Sequence, residues 1–163
     1  MFTLEDGTGI VGANALVTVA EFDTYASDRN IDISAYSTPG IEGSIVIASS
    51  DFISVYYKFK GAPLNEDQGL SIPTNLVGIT SKIKQATNDA TLLQLQGKLF
   101  VSPNDINVSG GIKATSKSVG SLNTAVEYQA GNTYTTKYPT PTIDRLLSCY
   151  TLGGFAPGSS LRY

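Results

Sequence analysis

Apolar residues recur along this chain with two different periods. In TVAEFDTYASDRN, Val19, Phe22, Tyr25 and Ala26 stand at i, i+3, i+6 and i+7, one face of a helix. At its start Thr18 and Glu21 form a Thr-x-x-Glu capping box, which satisfies two free amides there. We expect a helix over 18–29, with Asn30 as its stop. In IEGSIVIASSDFISVYYKF, the β-branched run Ile45, Val46, Ile47 suggests a strand. Ile41, Ile45, Ala48, Phe52, Tyr56 and Phe59 nevertheless keep a helical stripe. A strand of that length would exceed the usual about 5–6 residues several-fold, so length decides for a helix over 41–59, ended by Gly61.

The third helical pattern lies in NLVGITSKIKQATNDATLLQLQGKLF. Asn75 or Thr74 can cap it. Val77, Ile79, Ile83, Ala86, Ala90, Leu93 and Gly97 form a small-and-apolar face, and Thr, Asn and Gln fill much of a polar, uncharged opposite side. A short helix in YPTPTIDRLLSCYTLGG has Thr142 as cap and Gly153 as stop. Pro39-Gly40 breaks one loop, and Pro63, Gly69 and Pro73 punctuate another.

The period changes in GGIKATSKSVGSLNTAVEYQAG, residues 110–131. Apolar and polar residues roughly alternate there, as in two strands joined near Gly120-Ser121. The expected fold is mainly α: a small bundle of about four helices with long loops and one protruding β-hairpin at 110–130. It forms one domain over 1–163, with an extended arm at 1–17 and a flexible tail at 154–163. A hairpin poor in apolar residues gains stability by packing on other protein. Its anchors would be Ile112, Val119, Leu122 and Val126, with Lys113, Lys117 and Tyr128 beside them and Phe155 and Tyr163 from the tail. These nine residues are the candidate subunit or partner interface.

Composition narrows the chemistry. There is no histidine and one cysteine, Cys149, so an internal disulfide, an ordinary zinc site and every Ser-His or Cys-His arrangement are excluded. We expect Cys149 to pack as a small buried apolar residue. GTGIVG at 7–12 matches Gly-x-Gly-x-x-Gly but lacks the strand before it and the helix opening on it, so its glycines are read as turn formers. Ser81 and Lys84 have a Ser-x-x-Lys spacing, yet read as the wet side of a helix. No Asp-rich calcium loop is present. No catalytic, cofactor or metal site emerges, and we expect no enzyme. Nothing approaches the about 18 consecutive apolar residues of a membrane span, and the N-terminus does not resemble a signal peptide. A cytoplasmic protein is the default.

Charge is uneven. Residues 1–51 carry eight acidic groups against Arg29 alone, about −7; residues 52–163 carry six acidic and ten basic groups, +4. Such a subunit can stack head to tail with its own copies. Lys58, Lys60, Lys113 and Lys117 could touch phosphate, and Tyr56, Tyr57, Phe59 and Tyr128 could stack on bases. Against this, the chain is acidic, with a pI of 4.8, and aromatics at helical spacing are usually core.

The chain resembles a known family. LEDGTGIVGANALVTVAEFDTYASDRN is similar to the opening of a bacteriophage family often labelled DnaT-like single-stranded DNA-binding. The likeness runs on through ASSDFISVYYKFKGAPLNEDQGLSIPT, where Gln68, Leu70 and Pro73 keep a Gln-x-Leu-x-Trp-Pro pattern and Ile72 stands for Trp. It continues through IKQAT, VGSLNTAVEY and YPTPTIDRLL, and so spans about 4–152. These proteins resemble head–tail connector, or head-completion, subunits of tailed phages. That resemblance implies a non-enzymatic virion protein of the neck, made in the host cytoplasm. It would form a ring, commonly a dodecamer, beneath the portal protein and join it to a downstream neck or tail protein. DNA would pass through the lumen without sequence-specific binding. No catalytic residue or cofactor is implied. The alternative is a single-stranded DNA-binding protein. The acidic balance sets the expectation that sub-micromolar binding to an oligonucleotide is absent at about 150 mM salt.

Overall fold

A computed structural model describes residues 1–100 and 140–152, and the backbone of 112–118 and 123–128. The described chain is mainly helical, with four helical rods, the second of them running through α, π and α segments without a break. It divides into two compact units, Met1–Phe100 with Pro139–Tyr163, and Val101–Tyr138 in between in sequence.

Helix α1 spans Val19–Asp28. The expected capping box forms. Thr18 Oγ accepts from the Glu21 amide at 3.1 Å, and the Glu21 carboxylate accepts from the Thr18 amide at 2.9 Å. Asn30 takes φ 53°, a left-handed conformation that ends the helix.

The second rod starts at α2, Thr38–Val46, capped by Ser37 Oγ accepting from the Gly40 amide at 3.3 Å. It widens into a π-helical segment at Ile47–Ile53 and closes with one α-turn, α3, at Ser54–Tyr56. Ile47 and Ser54 keep right-handed helical backbone at both joins. The widening was not expected. Ser49 and Ser50 return their hydroxyls to the carbonyls of Ile45 and Val46, both at 2.8 Å. Two such bonds compete with the backbone ladder where it opens. Ser49 Oγ also accepts from the Leu16 amide at 3.1 Å, tying the N-terminal segment to the rod.

Helix α4 spans Ser81–Leu95 and starts later than the sequence suggests. Thr74 Oγ does accept from the Val77 amide, at 2.9 Å, as a cap would. But the Thr74 amide donates to the Val77 carbonyl at 2.8 Å, which closes an isolated turn. Thr80 is the true cap, its hydroxyl accepting from the Ile83 amide. Val77, Ile83, Ala86 and Ala90 are buried as expected, but so are Thr87, Asn88 and Thr91 on the side read as polar. Thr87 and Thr91 donate to the Ile83 and Thr87 carbonyls at 2.9 and 2.8 Å, which makes their burial affordable. The cause is position: α4 packs against α1, α2, the π segment and α5, Pro141–Leu147. In α5 Pro141 takes the first helical position and Thr140 the cap; Thr142 lies inside the first turn. Gly153, the expected stop, lies outside the described residues.

Residues 1–17, expected as an extended arm, double back on themselves. The amides of Asn14 and Ala15 donate to the Thr3 carbonyl, and the Glu5 amide to that of Ala15. Ala13, Ala15, Leu16 and Val17 are buried, so apolar burial holds the segment down. One core cluster gathers Leu16, Phe52, Ile53, Phe59, Ile72, Ile83 and Leu147; another gathers Val17, Phe22, Tyr25, Ile41 and Ile45. Gln68 organises the loop before α4: its Oε1 accepts from the Leu64 and Asn65 amides, and its Nε2 donates to the Leu70 and Pro73 carbonyls. Leu70 and Ile72 are thereby turned into the core. Cys149 is exposed, contrary to the buried packing expected of it, because it follows the end of α5 in a turn.

In the second unit the backbone of β1, Ile112–Ser118, pairs antiparallel with β2, Asn123–Tyr128, with an irregularity between Ile112 and Ala114. The turn expected at Gly120-Ser121, the strand side chains, the expected protrusion and the tail at 154–163 lie outside what the structure describes. Among the described residues, no helix is long and apolar enough to cross a membrane.

Candidate nucleic-acid interface

The rod ends in a cluster of aromatic rings. Phe52, in the π segment, is buried and forms its floor. Tyr56, one turn on, packs on it with ring centroids 5.3 Å apart. Phe100, reached after α4 ends at Leu95 and the chain turns at Gly97, meets Phe52 edge-on at 6.0 Å and Tyr56 at 6.4 Å. Tyr56 and Phe100 are 47% and 40% exposed, which leaves much of both rings at the surface over an apolar floor. Val55 beside them is also exposed.

The chain then leaves the helix in extended form, Tyr57 having φ −113° and ψ 119°. Alternation follows, as strand geometry requires. Phe59 is buried and Tyr57 half-buried, while Lys58 and Lys60 are exposed. The segment is clamped by the stretch after α5. The Lys60 amide donates to the Tyr150 carbonyl at 2.9 Å and the Leu152 amide to that of Lys58 at 2.7 Å. Lys60 Nζ donates to the Cys149 carbonyl at 2.8 Å, using one of the three donors of an ammonium. Tyr57 donates its hydroxyl to Asp144 at 2.6 Å. Burial, then that bond and the Asp144 charge, raise the Tyr57 phenol well above its ordinary value. Asp144 is thus engaged beneath the surface. Asp51, the carboxylate nearest Tyr56 in sequence, lies 2.7 Å from Ser50 Oγ, whose one proton it shares with the Val46 carbonyl.

The sequence singled out Tyr56, Tyr57, Phe59, Lys58 and Lys60 but assigned such aromatics to the core. That holds for Phe59; Tyr56 faces outward. Phe100 was missed, because it is distant in sequence and only the turn after α4 brings it back to Phe52. The interface candidates on the second unit are not brought into this site by anything described. Ile112, Lys113, Lys117, Val126 and Tyr128 lie on β1 and β2, with Ile112 opposite Tyr128, Thr115 opposite Val126 and Lys117 opposite Thr124. Val119, Leu122, Phe155 and Tyr163 lie outside the described residues.

The Gly-rich stretch at 7–12 binds an anion of its own. The buried Glu5 carboxylate accepts from the amides of Gly7, Gly9 and Ile10 at 3.0, 2.9 and 2.8 Å. Donors that could cradle a phosphate are therefore occupied. Lys84 of the Ser-x-x-Lys spacing pairs with Glu21 at 2.5 Å.

Comparison with known proteins gives one family. The model of the family described as "Putative DnaT-like ssDNA binding protein" matches residues 1–162. No curated protein and no solved structure matches the chain. The head–tail connector expected from the resemblance is overturned by this match: it supports the single-stranded DNA-binding alternative, and nothing found supports a neck ring. Matched over nearly its whole length, the chain belongs to the DnaT-like single-stranded DNA-binding protein family.

Proposed function

We propose that this chain is a single-stranded DNA-binding protein. The observation that carries the reading is the family match over residues 1–162, whose description names that ligand. The exposed aromatic pair beside two exposed lysines supports it, since single-strand binders combine base-stacking rings with cations along the backbone. An overall acidic chain is compatible with this, because Lys58 and Lys60 concentrate positive charge locally while most acidic groups lie in residues 1–51. The test is fluorescence anisotropy with a labelled oligothymidine and a duplex of equal length. The single strand should bind and the duplex should bind more weakly. No binding of the single strand even at low salt, where phosphate contacts are strongest, would overturn the reading.

A further inference from the structure

The geometry points to Tyr56 and Phe100 as the platform on which unpaired bases stack, in a binding mode carried mainly by the rings and only weakly by phosphate contacts. This rests on the single-stranded DNA-binding reading and specifies its site and its energetics. Three observations converge on it. First, the two rings lie 6.4 Å apart, centroid to centroid, and both rest on the buried Phe52 ring. A base laid on either exposed ring would therefore meet a surface already held in place, which lowers the ordering cost of binding. Second, among the described residues two exposed cations closely follow Tyr56 in sequence. Lys58 and Lys60 share the outward side of one extended segment, two residues apart. Roughly 6–7 Å separates such positions along a strand, comparable to the phosphate spacing of an extended single strand. Third, the neighbouring carboxylate Asp144 is engaged by Tyr57, so it is held back from that side.

Every base offers a π-face, so the platform would take unpaired nucleotides with little sequence preference. Lys58 and Lys60, the two exposed lysines described at this site, would contribute about −1.4 to the slope of log K against log salt, about 0.7 per neutralised phosphate on a single strand. That is shallow for a nucleic-acid binder, and it is what an acidic protein would show if stacking dominates.

The experiment compares wild type with Tyr56→Leu, Tyr56→Phe, Phe100→Leu and Lys58→Gln/Lys60→Gln, using labelled oligothymidine across a salt series. Circular dichroism of each variant checks its helices. Tyr56→Leu and Phe100→Leu should each weaken binding at least about fivefold, the low end for losing one stacked base. Tyr56→Phe keeps the ring and should stay within about twofold. The lysine pair variant should flatten the salt slope by more than half. If wild type binds but both leucine variants bind equally well, the platform is wrong and the functional reading survives. If Tyr56→Phe loses as much as Tyr56→Leu, the hydroxyl and not the ring makes the contact, and stacking is overturned. If wild type does not bind, the functional reading fails and takes this inference with it.

Discussion

The Tyr57 hydroxyl donates to the Asp144 carboxylate at 2.6 Å, joining the end of the second helical rod to α5 across 87 residues of sequence. Tyr57 also packs edge-on against Phe52, 5.9 Å away, so the same side chain braces the floor of the aromatic cluster. Tyr57→Phe keeps the ring and removes the bond. A hydrogen bond to a charged group that is half-buried contributes about 1–2 kcal/mol. Urea unfolding should show a loss of that size, with α5 amides exchanging faster while those of α1 are unchanged.

Alkali should unfold the protein through its buried phenols. Burial, then the hydrogen bond to Asp144, raise Tyr57; burial, then the hydrogen bond to Asp89, raise Tyr25 against a small opposing effect of Arg29. A folded-state value above the unfolded one means that the native protein holds these protons more tightly. Their stabilisation is complete below the ordinary phenol range near pH ~10 and is lost as pH rises above it. The urea midpoint should therefore fall between about pH 9 and pH 11, and the Tyr25→Phe/Tyr57→Phe variant should show a flatter fall.

Glu5 should be indispensable to the N-terminal segment. Its carboxylate is only 3% exposed and satisfies three amides of the glycine-rich turn. Glu5→Gln replaces one acceptor oxygen by an amide that cannot accept, leaving buried N–H groups unpaired at a cost of about 1–3 kcal/mol. Hydrogen exchange at Gly7, Gly9 and Ile10 should accelerate in this variant. Unchanged protection there would show that other contacts hold the turn.

The start of α1 should make stability sensitive to acid. Burial raises the Glu21 carboxyl, but the bonds from Lys84 and from the Thr18 amide outweigh it and hold it below its ordinary value. Its contribution is present above the usual carboxylate range and is lost as pH falls through the lowered folded value. Thr18→Ala removes the other half of the capping box and should cost about 1 kcal/mol. Glu21→Gln should make the thermal midpoint less dependent on pH between about 5 and 3. The Lys84 pair is partly exposed and adds at most about 1 kcal/mol.

Much of this fold was legible in the chain because its signals are local. Thr18, Glu21 and Asn30 mark both ends of α1, and each acts within four residues of its partner. The long stripe from Ile41 to Phe59 identified the second rod, but periodicity could not reveal the π segment. That opening depends on Ser49 and Ser50 competing for backbone carbonyls, and Ser49 is held further by Leu16 from far away in sequence. The start of α4 was ambiguous because Thr74 and Thr80 both make cap-like bonds and only the second is propagated. Burial of Thr87, Asn88 and Thr91 was hidden for another reason: a polar face reads as wet unless the packing around it is known. The aromatic site was half visible. Tyr56, Lys58 and Lys60 were recognised as able to meet nucleic acid, but only the tertiary fold separates outward Tyr56 from inward Phe59 and adds Phe100.

The most direct test of a single-stranded DNA site on the rod end is photocrosslinking with an oligothymidine carrying bromodeoxyuridine, followed by peptide mass mapping. Crosslinks should concentrate on the peptides containing Tyr56 and Phe100 and be suppressed by excess unlabelled single strand. Absence of crosslinks, or their concentration on peptides remote from both rings, would contradict the account.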